Sequence, residues 1–289
     1  MRLTRRKTRS TPPDSRAPYA PRVSIVTGGA SGIGAALATE LVARSGTVVL
    51  ADLDGPRVEA VAARLTLGGP GRATARVLDV TDRIALTDLV DGTVRMHGRL
   101  DLMCNNAGIL FTGPFAELTE RHWDTALAVN LRAVVDGTAA AYRHMARAGQ
   151  GAILNTGSLA GLIPGASMTP YVTSKYAVVG FTQALRAEAH RAGVRVCVLC
   201  PGFTETPLID APFEPTASYR SGSFRTNARL LQPRLMTPER VALAALEGVA
   251  KNRGVITVGA SAAVLSRAQR FAPKVIEVGN RVHAWRSSR

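Results

Sequence analysis

Two residues four positions apart, Tyr171 and Lys175, carry side chains that could move a proton. Positions i and i+4 share one face of an α-helix, so an ammonium group would lie beside a phenol. A neighbouring cation favours the phenolate and lowers the pKa of the phenol from its reference value of about 10. Such a phenol could take a proton from an alcohol, or return one to a ketone. The same spacing also fits an ordinary surface tyrosine and lysine.

A glycine-rich turn follows the first apolar run of the chain, and an Ala-rich stretch follows the turn, which predicts a strand, a turn and a helix. Glycines let a backbone approach a pyrophosphate, whose charge meets the free amides at the helix N-terminus. The spacing differs from G-x-G-x-x-G, so the turn alone also fits a plain strand-to-helix corner. The turn reads Gly28-Gly29-Ala30-Ser31-Gly32-Ile33-Gly34.

Asp52 follows the second apolar run, residues 47–51, and lies 20 residues after Gly32. A carboxylate at this point could accept hydrogen bonds from the ribose hydroxyls of an adenosine. An NADP-dependent enzyme would need a cation here, and residues 29–31 and 52–54 contain none. We therefore expect NAD in preference to NADP. The spacing also allows Asp52 to be a solvated residue that ends a strand.

Apolar runs alternate with segments of helical spacing along most of the 289 residues. This alternation predicts an α/β fold in which a parallel sheet is covered by helices on both faces and binds ligands at the carboxyl ends of its strands. The predicted strands cover residues 23–27, 47–51, 74–78, 100–104, 152–156, 195–200 and 255–258. The predicted helices cover residues 35–44, 56–65, 84–97, 121–148, 171–192 and 238–251.

Further motifs give the chain a family resemblance. Over about residues 22–260 it resembles the short-chain dehydrogenase/reductase family. The resemblance implies a single Rossmann-type domain, residues 23–260, with a doubly wound parallel sheet of about seven strands. Besides the glycine turn and the Tyr171/Lys175 pair, it rests on Leu78-Asp79-Val80, Asn105-Asn106-Ala107-Gly108, Asn130, Asn155-Thr156-Gly157-Ser158, and Pro201-Gly202 followed by Thr206.

The resemblance implies a set of cofactor-binding residues. Asp79 and Val80 are expected at the adenine, Asn106 through Gly108 at the adenosine ribose, and Thr206 at the nicotinamide carboxamide. The full expected set is Gly28, Ser31, Gly32, Ile33, Gly34, Asp52, Asp79, Val80, Asn106, Ala107, Gly108, Tyr171, Lys175, Pro201, Gly202 and Thr206.

Four catalytic residues are also implied, namely Asn130, Ser158, Tyr171 and Lys175. Tyr171 is the expected general acid/base, and Ser158 is expected to hydrogen-bond the reacting oxygen. Lys175 is expected to lower the pKa of the phenol and bind the nicotinamide ribose. Asn130 is expected to interrupt its helix and keep a water between Lys175 and solvent. The expected reaction is an NAD(H)-dependent interconversion of a secondary alcohol and a ketone.

The substrate is less defined by the sequence. Gly157 stands where the family commonly has a second serine, and Thr204 stands where an aliphatic residue is more common. Residues 207–237 are rich in proline and apolar side chains, which predicts a substrate lid or, alternatively, a surface excursion. Apolar residues beside the site motifs indicate a moderately hydrophobic small molecule. These are Leu110, Phe111, Leu159, Leu162 and Ile163.

The net charge of +15 is concentrated at the two ends of the chain, with +6 in residues 1–22 and +5 in residues 266–289. This distribution argues against a specific nucleic-acid-binding domain. Residues 1–22 are rich in Arg and Pro without an apolar run, which predicts a disordered extension and not a secretory signal. Residues 261–289 are expected to form a basic tail that packs across a subunit interface or lies on an anionic membrane surface.

The predicted helices that carry Asn130 and Tyr171 have small apolar residues on more than one face, which is typical of helices that also pack against another subunit. The family resemblance implies a homotetramer, with a dimer as the alternative. Cys104, Cys197 and Cys200 lie in or beside predicted strands and are expected to be core residues. We expect no metal site and a cytoplasmic location.

Three alternatives stay open at this point. A regulator could bind NAD without turnover, although such proteins usually lose the tyrosine or the lysine of the pair. A protein that binds nucleic acid through its basic ends would show a strongly salt-dependent affinity. Within the same family, an NADP-dependent ketoreductase is the remaining alternative.

Overall fold

A computed structural model describes residues 19–210, 216, 223–232 and 234–287. Its strands are β1 (Val23–Thr27), β2 (Thr47–Asp52), β3 (Arg72–Val77), β4 (Leu102–Asn105), β5 (Gly151–Thr156), β6 (Val194–Pro201) and β7 (Val255–Val258). They form one sheet in the order β3-β2-β1-β4-β5-β6-β7. All neighbouring strands pair in parallel. The predicted doubly wound sheet of about seven strands is confirmed.

Helices connect the strands and cover both faces of the sheet. They are α1 (Gly32–Ala43), α2 (Gly55–Gly68), α3 (Arg83–His97), α4 (Glu120–Leu127), α5 (Ala133–Ala148), α6 (Thr169–Ala189), α7 (Pro207–Asp210), α8 (Ser223–Leu231), α9 (Pro238–Ala250), α10 (Ala260–Phe271) and α11 (Pro273–Ser287). Local residues define the helix ends, as α3 shows. The Asp82 carboxylate accepts from the amides of Ile84 and Ala85, and Gly98 ends the helix at a φ of 70°.

Two apolar layers hold the helices against the sheet, as the middle of β1 shows. Ile25 and Val26 are both fully buried, and they belong to different clusters. Val26 packs with residues of α1 and α9, and Ile25 packs with residues of α3 and α5. Successive side chains of a strand point to opposite faces, so burial of both faces requires an unbroken apolar run. Each such side chain contributes about 1.5–3 kcal/mol to stability.

The helix predicted over residues 121–148 is interrupted. A π turn, Ala128–Arg132, separates α4 from α5 and contains Asn130. Asn130 is fully buried, and its carboxamide bonds the backbone of a neighbouring loop. π turns of this kind occur mostly as local interruptions at functional sites. The expected break in the helix at Asn130 is confirmed.

The predicted N-terminal extension falls largely on residues 1–18, which lie outside the described residues. Its last four residues pack against the domain. The hydroxyl of Tyr19 donates to the carbonyl of Asp101 at 3.4 Å, and the amide of Arg22 donates to the carboxylate of Asp101 at 2.9 Å. The prediction of disorder up to residue 22 is therefore wrong for residues 19–22, because Asp101 holds them beside β1.

The segment predicted as a basic tail, residues 261–289, contains most of α10 and all of α11 within its described part. α10 begins two residues after β7, and Ala262 on its first turn is fully buried. The amide of Gly202 donates to the carbonyl of Val258 at 3.1 Å, which holds the end of β6 beside the start of α10. The first of the last two helices, α10, therefore starts at the carboxyl edge of the sheet. No helix in the described part of the chain is both long and apolar enough to cross a membrane.

Candidate active site

The glycine turn between β1 and α1 packs closely against its surroundings. Gly28 has a φ of +67°, and a Cβ atom there would lie 2.9 Å from the Cα of Ala107. A Cβ at Gly34 would lie 2.0 Å from the carbonyl oxygen of Gly28. A Cβ at Gly32, whose φ is +51°, would lie 2.9 Å from the Thr206 side chain. Only glycine fits these positions without displacing the ends of β4 and β6.

Two carboxylates lie at the carboxyl ends of β2 and β3. The Asp52 carboxylate accepts from the amide of Ala30 at 2.9 Å and from the amide of Asp54 at 3.1 Å. It is thereby fixed beside the glycine turn. The Asp79 carboxylate accepts from both the amide and the hydroxyl of Thr81, at 2.8 and 2.7 Å. Both side chains are held by local hydrogen bonds in a defined orientation.

Two threonines that the sequence analysis did not single out join the strand ends. The Thr27 hydroxyl oxygen accepts from the amides of Asn106 and Ala107 at 3.0 and 3.1 Å. The Thr156 hydroxyl donates to the Asn106 side-chain oxygen at 3.2 Å. Each threonine is the last residue of its strand, and Thr156 also belongs to the motif Asn155-Thr156-Gly157-Ser158. Together they fix the Asn106 side chain between β1 and β5.

Ser158, Tyr171 and Lys175 converge at the end of β5. Lys175 Nζ donates to the carbonyl of Thr156 at 2.9 Å and lies 5.6 Å from the centroid of the Tyr171 ring. The amide of Ala160 donates to Ser158 Oγ at 3.1 Å, which leaves the Ser158 hydroxyl proton for another acceptor. Ser158 acts on the phenol of Tyr171 in the direction that lowers its pKa. The three predicted residues are thus brought together, with the i, i+4 pair on α6.

Asn130 joins the loop after β4 to α6. Its Oδ1 accepts from the amide of Ile109 at 2.8 Å, and its Nδ2 donates to the Ile109 carbonyl at 2.9 Å. Nδ2 also lies 3.2 Å from Ser174 Oγ, which donates to the carbonyl of Tyr171 at 2.8 Å. A Cβ at Gly108 would lie 3.2 Å from Asn130 Oδ1 and 3.5 Å from Lys175 Nζ. Asn130 and Lys175 therefore both border the backbone of Gly108.

A buried polar network behind the site was not predicted. The Asn105 side chain donates to Thr138 Oγ1 at 3.0 Å and to Asn155 Oδ1 at 2.9 Å. Asn155 Nδ2 donates in turn to Thr182 Oγ1 at 3.1 Å. All four side chains are buried. A buried network whose members all have partners rigidifies its surroundings, so this one fixes the ends of β4 and β5 against α5 and α6.

Burial opposes charge on both members of the Tyr171/Lys175 pair. It raises the pKa of Tyr171 above its ordinary value, while the hydrogen bond from Ser158 acts in the opposite direction. Burial also lowers the pKa of Lys175 to about 8. The expectation that Lys175 brings the phenol below its usual pKa is wrong for this geometry. Desolvation of the phenolate is the largest effect, and Lys175, whose ammonium group donates to the carbonyl of Thr156, is not among the groups that lower this pKa.

A cavity of about 790 Å³ opens at the carboxyl edge of the sheet. All predicted site residues line it except Gly34, which packs under the turn, and Asn130, which lies behind Gly108. Lys175 is the only cation among the described residues of its walls. Many of the residues that line the cavity are apolar. The apolar residues include Leu110, Val129, Leu159, Ile163, Met168, Phe203, Leu208, Ile209, Phe224, Leu265, Val275 and Ile276.

Two residues expected to face the substrate do not line the cavity. Phe111 is fully buried and packs edge-on against His122, with 5.3 Å between ring centroids. Leu162 packs on a small core cluster that includes Val178 and Val198. Apolar character alone does not distinguish a cavity wall from a core residue, and the sequence offers no other signal here.

Residues of the predicted lid border the same cavity in the part that the structure describes. Leu208 and Ile209 on α7 and Phe224 on α8 line it. The guanidinium of Arg225 joins these two helices, because it donates to Asp210 at 2.9 Å and to Glu205 at 3.1 Å. Residues 211–215 and 217–222 lie outside the description.

Residues from α10 and α11 also line the cavity, which the sequence analysis did not predict. They are Leu265, Val275, Ile276, Gly279 and Asn280. The sequence signal was only a mixture of apolar and basic residues, which fits a membrane surface, a subunit interface or a cavity wall. Part of these helices lies at the cavity because α10 follows β7 at the edge of the sheet where the cavity opens.

Known proteins resemble this chain in both sequence and fold. Residues 22–215 match the short chain dehydrogenase family. The chain is 33% identical over 226 residues to 3beta-hydroxysteroid dehydrogenase 2 of Eggerthella lenta, covering 78% of this chain and 86% of that protein. A short chain dehydrogenase/reductase from Burkholderia phymatum in complex with NAD has a TM-score of 0.78 at 26% identity, covering 90% of this chain and 96% of that one.

A second solved structure carries the other nicotinamide cofactor. A short-chain dehydrogenase from Sphingobium yanoikuyae in complex with NADPH has a TM-score of 0.73 at 26% identity, covering 89% of this chain and 95% of that one. These matches agree with the seven-stranded parallel sheet. The chain therefore belongs to the short-chain dehydrogenase/reductase family of nicotinamide-dependent oxidoreductases.

Proposed function

We propose that this protein is an NAD(H)-dependent dehydrogenase that interconverts a secondary alcohol and a ketone on a moderately hydrophobic small molecule. One observation carries the proposal. The cavity that receives Ser158, Tyr171 and Lys175 at one end is bordered by the glycine turn and Asp52 at the other. A proton-transferring group and a dinucleotide cradle in one cavity are what hydride transfer to or from a carbonyl carbon requires.

The residues present fit a dinucleotide. Side chains are excluded at Gly28, Gly32 and Gly34 by close contacts, so the backbone is free to approach a pyrophosphate at the start of α1. Ser31 and Ile33 would lie at the pyrophosphate, Asp52 at the adenosine ribose, and Asp79 and Val80 at the adenine. Asn106, Ala107 and Gly108 would line the ribose, and Pro201, Gly202 and Thr206 would hold the nicotinamide. When bound, this cofactor supplies or accepts the hydride.

Tyr171 is the proposed general acid/base. Because burial keeps its phenol protonated near neutral pH, Tyr171 is ready to give a proton to a ketone oxygen in the reducing direction. In the oxidising direction the phenolate takes the proton of the alcohol. Ser158 acts to lower the pKa of the phenol and so favours that phenolate, and the ammonium of Lys175 lies 5.6 Å from the centroid of its ring.

Ser158 and Lys175 each have a second proposed role. Because the Ala160 amide donates to Ser158 Oγ, the Ser158 hydroxyl proton stays available for another acceptor, and its proposed role is to fix the substrate oxygen. Lys175, with a pKa of about 8, is mostly protonated at neutral pH and can donate to the nicotinamide ribose hydroxyls.

Asn130 is proposed as a positioning residue. Its carboxamide holds Ile109 and Ser174, and through them the loop after β4 and the first turn of α6. The π turn opens the helix backbone at this point, which supports a water between Lys175 and solvent as a route for the proton.

The preference for NAD over NADP is proposed from charge. The Asp52 carboxylate is fixed by two backbone amides beside the glycine turn, where it would attract ribose hydroxyls and repel a 2′-phosphate. Apart from Lys175, the described cavity walls offer no cation to a phosphate. An NADP-dependent ketoreductase is the alternative, and it is supported by the structurally similar dehydrogenase that is in complex with NADPH.

A substrate screen tests this function. Purified protein is mixed with a panel of secondary alcohols and NAD or NADP, and with the matching ketones and NADH or NADPH, while absorbance of the reduced nicotinamide is followed. We expect turnover on apolar members of the panel and faster turnover with NAD(H). Faster turnover with NADP(H) would support the ketoreductase alternative. Cofactor binding without any turnover would support a regulator.

Assembly and location are proposed on separate grounds. A homotetramer, or a dimer as the alternative, is supported by the small apolar residues along α5 and α6, and sedimentation velocity tests it.

A cytoplasmic location is supported by three buried free cysteines. Peripheral contact with a membrane through α10 and α11 is a lesser proposal, supported by the exposed side chains of Val264 and Phe271.

A further inference from the structure

The first of the two C-terminal helices is held next to the nicotinamide end of the cavity. A Cβ at Gly202 would lie 3.6 Å from the Cβ of Ala262, so α10 starts in contact with a residue that lines the cavity. The hydroxyl of Ser261 donates to the side chain of Gln232 at 2.9 Å, and Gln232 donates to the carbonyl of Phe203 at 2.7 Å. These contacts fix α10 from both sides. Leu265, one turn beyond Ser261, lines the cavity.

The last helix returns across the opening. Asn280 Nδ2 donates to the carbonyl of Pro164 at 3.0 Å. Pro164 lies in the segment between Ser158 and α6, so this hydrogen bond ties α11 to the loop that carries a predicted catalytic residue. Ile276 lies one helical turn before Asn280 on the same face, is 8% exposed, and also lines the cavity.

The opposite face of α11 is exposed to solvent. Val278 is 59% exposed and is not among the cavity walls, and Lys274 and Arg281 are exposed as well. The helix therefore has one face toward the cavity and one toward the outside. A substitution at Ile276 therefore changes the cavity wall, and one at Val278 changes only the exposed face of the same helix.

The end of the cavity that α11 closes is chemically distinct from the other. The carboxylates among the described walls, Asp52 and Asp79, lie at the ends of β2 and β3, and Lys175 lies beside Tyr171. The remaining described walls toward α7, α8 and α11 carry no charged side chain. An apolar group can be buried there without desolvating a charge, and each buried methylene contributes about 0.8 kcal/mol.

We propose that Ile276 and Leu265 form the far wall of an apolar subsite that takes the tail of an elongated substrate, with α11 as the element that sets the accepted tail length. The substrate class is a secondary alcohol or ketone with a long alkyl chain or an extended ring system. The inference rests on the proposed function for the position of the reacting carbon, beside Tyr171. Asn280 is a positioning residue that keeps α11 in place.

A binding series tests this subsite without requiring turnover. Straight-chain alcohols from butan-2-ol to dodecan-2-ol are titrated calorimetrically into protein loaded with NADH, which cannot oxidise them. We expect the affinity to rise about fourfold for each added methylene, because one buried CH₂ contributes about 0.8 kcal/mol. The rise should stop at the chain length at which the tail reaches α11. Ile276→Ala should weaken the longest alcohols about tenfold and leave butan-2-ol unchanged. In Ile276→Trp the larger side chain should occupy part of the subsite, so the affinity should stop rising at a shorter chain length.

The control is Val278→Ala, which truncates an exposed side chain on the same helix and should leave the whole series unchanged. A general loosening of α11 would weaken short and long alcohols alike, so equal losses along the series would overturn the subsite. Affinity independent of chain length in the unmodified protein would overturn it as well. Binding of NADH, measured in the same samples by its fluorescence, reports separately on the proposed function. A normal chain-length series together with full turnover by Tyr171→Phe would retain the subsite and remove the proposed mechanism.

Discussion

Asn130 and Ile109 form two reciprocal hydrogen bonds, from the Ile109 amide to Asn130 Oδ1 at 2.8 Å and from Asn130 Nδ2 to the Ile109 carbonyl at 2.9 Å. The Asn130 side chain thereby pairs with the backbone of Ile109 as a neighbouring strand would, and Ile109 lines the cavity. This arrangement makes the loop after β4 dependent on a residue 21 positions away.

Asn130→Ala should therefore destabilise the protein and weaken cofactor binding together. The substitution leaves the amide and the carbonyl of half-buried Ile109 without their partners, at about 1–3 kcal/mol each, so we expect the free energy of unfolding to fall by about 2–6 kcal/mol. Urea denaturation and NADH fluorescence measure the two effects. Gln150→Ala, which removes an exposed amide, is the control. Unchanged stability in the Asn130 variant would show that the loop does not depend on these bonds.

Gly34→Ala should disrupt the turn at the start of α1. The added methyl group would lie 2.0 Å from the Gly28 carbonyl oxygen, so the helix must move away from the strand. We expect NADH affinity to fall at least about tenfold, because a displacement of the amides removes one or more charge-assisted hydrogen bonds to the pyrophosphate. Gly68→Ala places the same methyl group in open space at the end of α2 and serves as control. Equal NADH affinity in both variants would contradict the predicted role of the turn.

Asp52→Asn should shift cofactor preference toward NADP. The amide oxygen of asparagine can replace only one of the two carboxylate oxygens, which accept separately from Ala30 and Asp54, and the negative charge that repels a 2′-phosphate is removed. We expect the ratio of kcat/KM for NAD over NADP to fall about tenfold, equivalent to about 1.4 kcal/mol. Asp54→Asn, which changes a neighbouring charge outside the cavity walls, should change the ratio little. An unaltered ratio in the Asp52 variant would place the source of selectivity elsewhere.

Stability should fall in alkaline solution because the three cysteines are buried. Burial raises the pKa of Cys197 to about 11 and that of Cys200 to about 12, and it raises the pKa of Cys104 further. In the unfolded chain these thiols ionise at about pH 8.5. Because the folded pKa values are higher, the stabilisation is complete below the unfolded pKa and is lost as pH rises toward 11.

Cys197→Ala isolates one of these groups. The loss of stability between about pH 9 and pH 11 should become shallower by about 1.4 kcal/mol per pH unit, the contribution of one proton. Lys175 acts with the opposite sign in the same interval, since its folded pKa is lowered, but its effect is common to both proteins and cancels in the difference. Urea denaturation at a series of pH values gives the two curves. Parallel curves would mean that Cys197 titrates normally in the folded protein.

Much of the fold could be predicted because inner strands such as β1 are buried on both faces and appear as unbroken apolar runs. The edge strand β3 is mostly exposed, and all seven predicted strands nevertheless lie close to the observed bounds. The glycine turn and the Tyr171/Lys175 pair could be predicted because their function requires particular residue types at fixed spacing. Thr27 and Thr156 were missed, since a threonine at the end of a strand has many uses.

The remaining differences depend on tertiary contacts that no local pattern reports. The C-terminal helices line the cavity only because β7 ends at the same edge of the sheet as the site, and amphipathic spacing does not say which surface a helix meets. The pKa of Tyr171 was predicted from its charged neighbour, but the burial that dominates it is a property of the complete fold. Phe111 was expected at the substrate for its apolar side chain and is a core residue instead.

The central claim is that the phenol of Tyr171 transfers the proton while a hydride moves between cofactor and substrate. The most direct measurement compares Tyr171→Phe with Tyr176→Phe, which removes a hydroxyl from the same helix at a side chain that is 40% exposed. NADH affinity is followed by fluorescence, and kcat is measured on the best substrate of the screen. The account predicts near-normal NADH affinity in both variants and a loss of kcat by about 10²–10⁴-fold in Tyr171→Phe alone. Retention of most of kcat in Tyr171→Phe would contradict it.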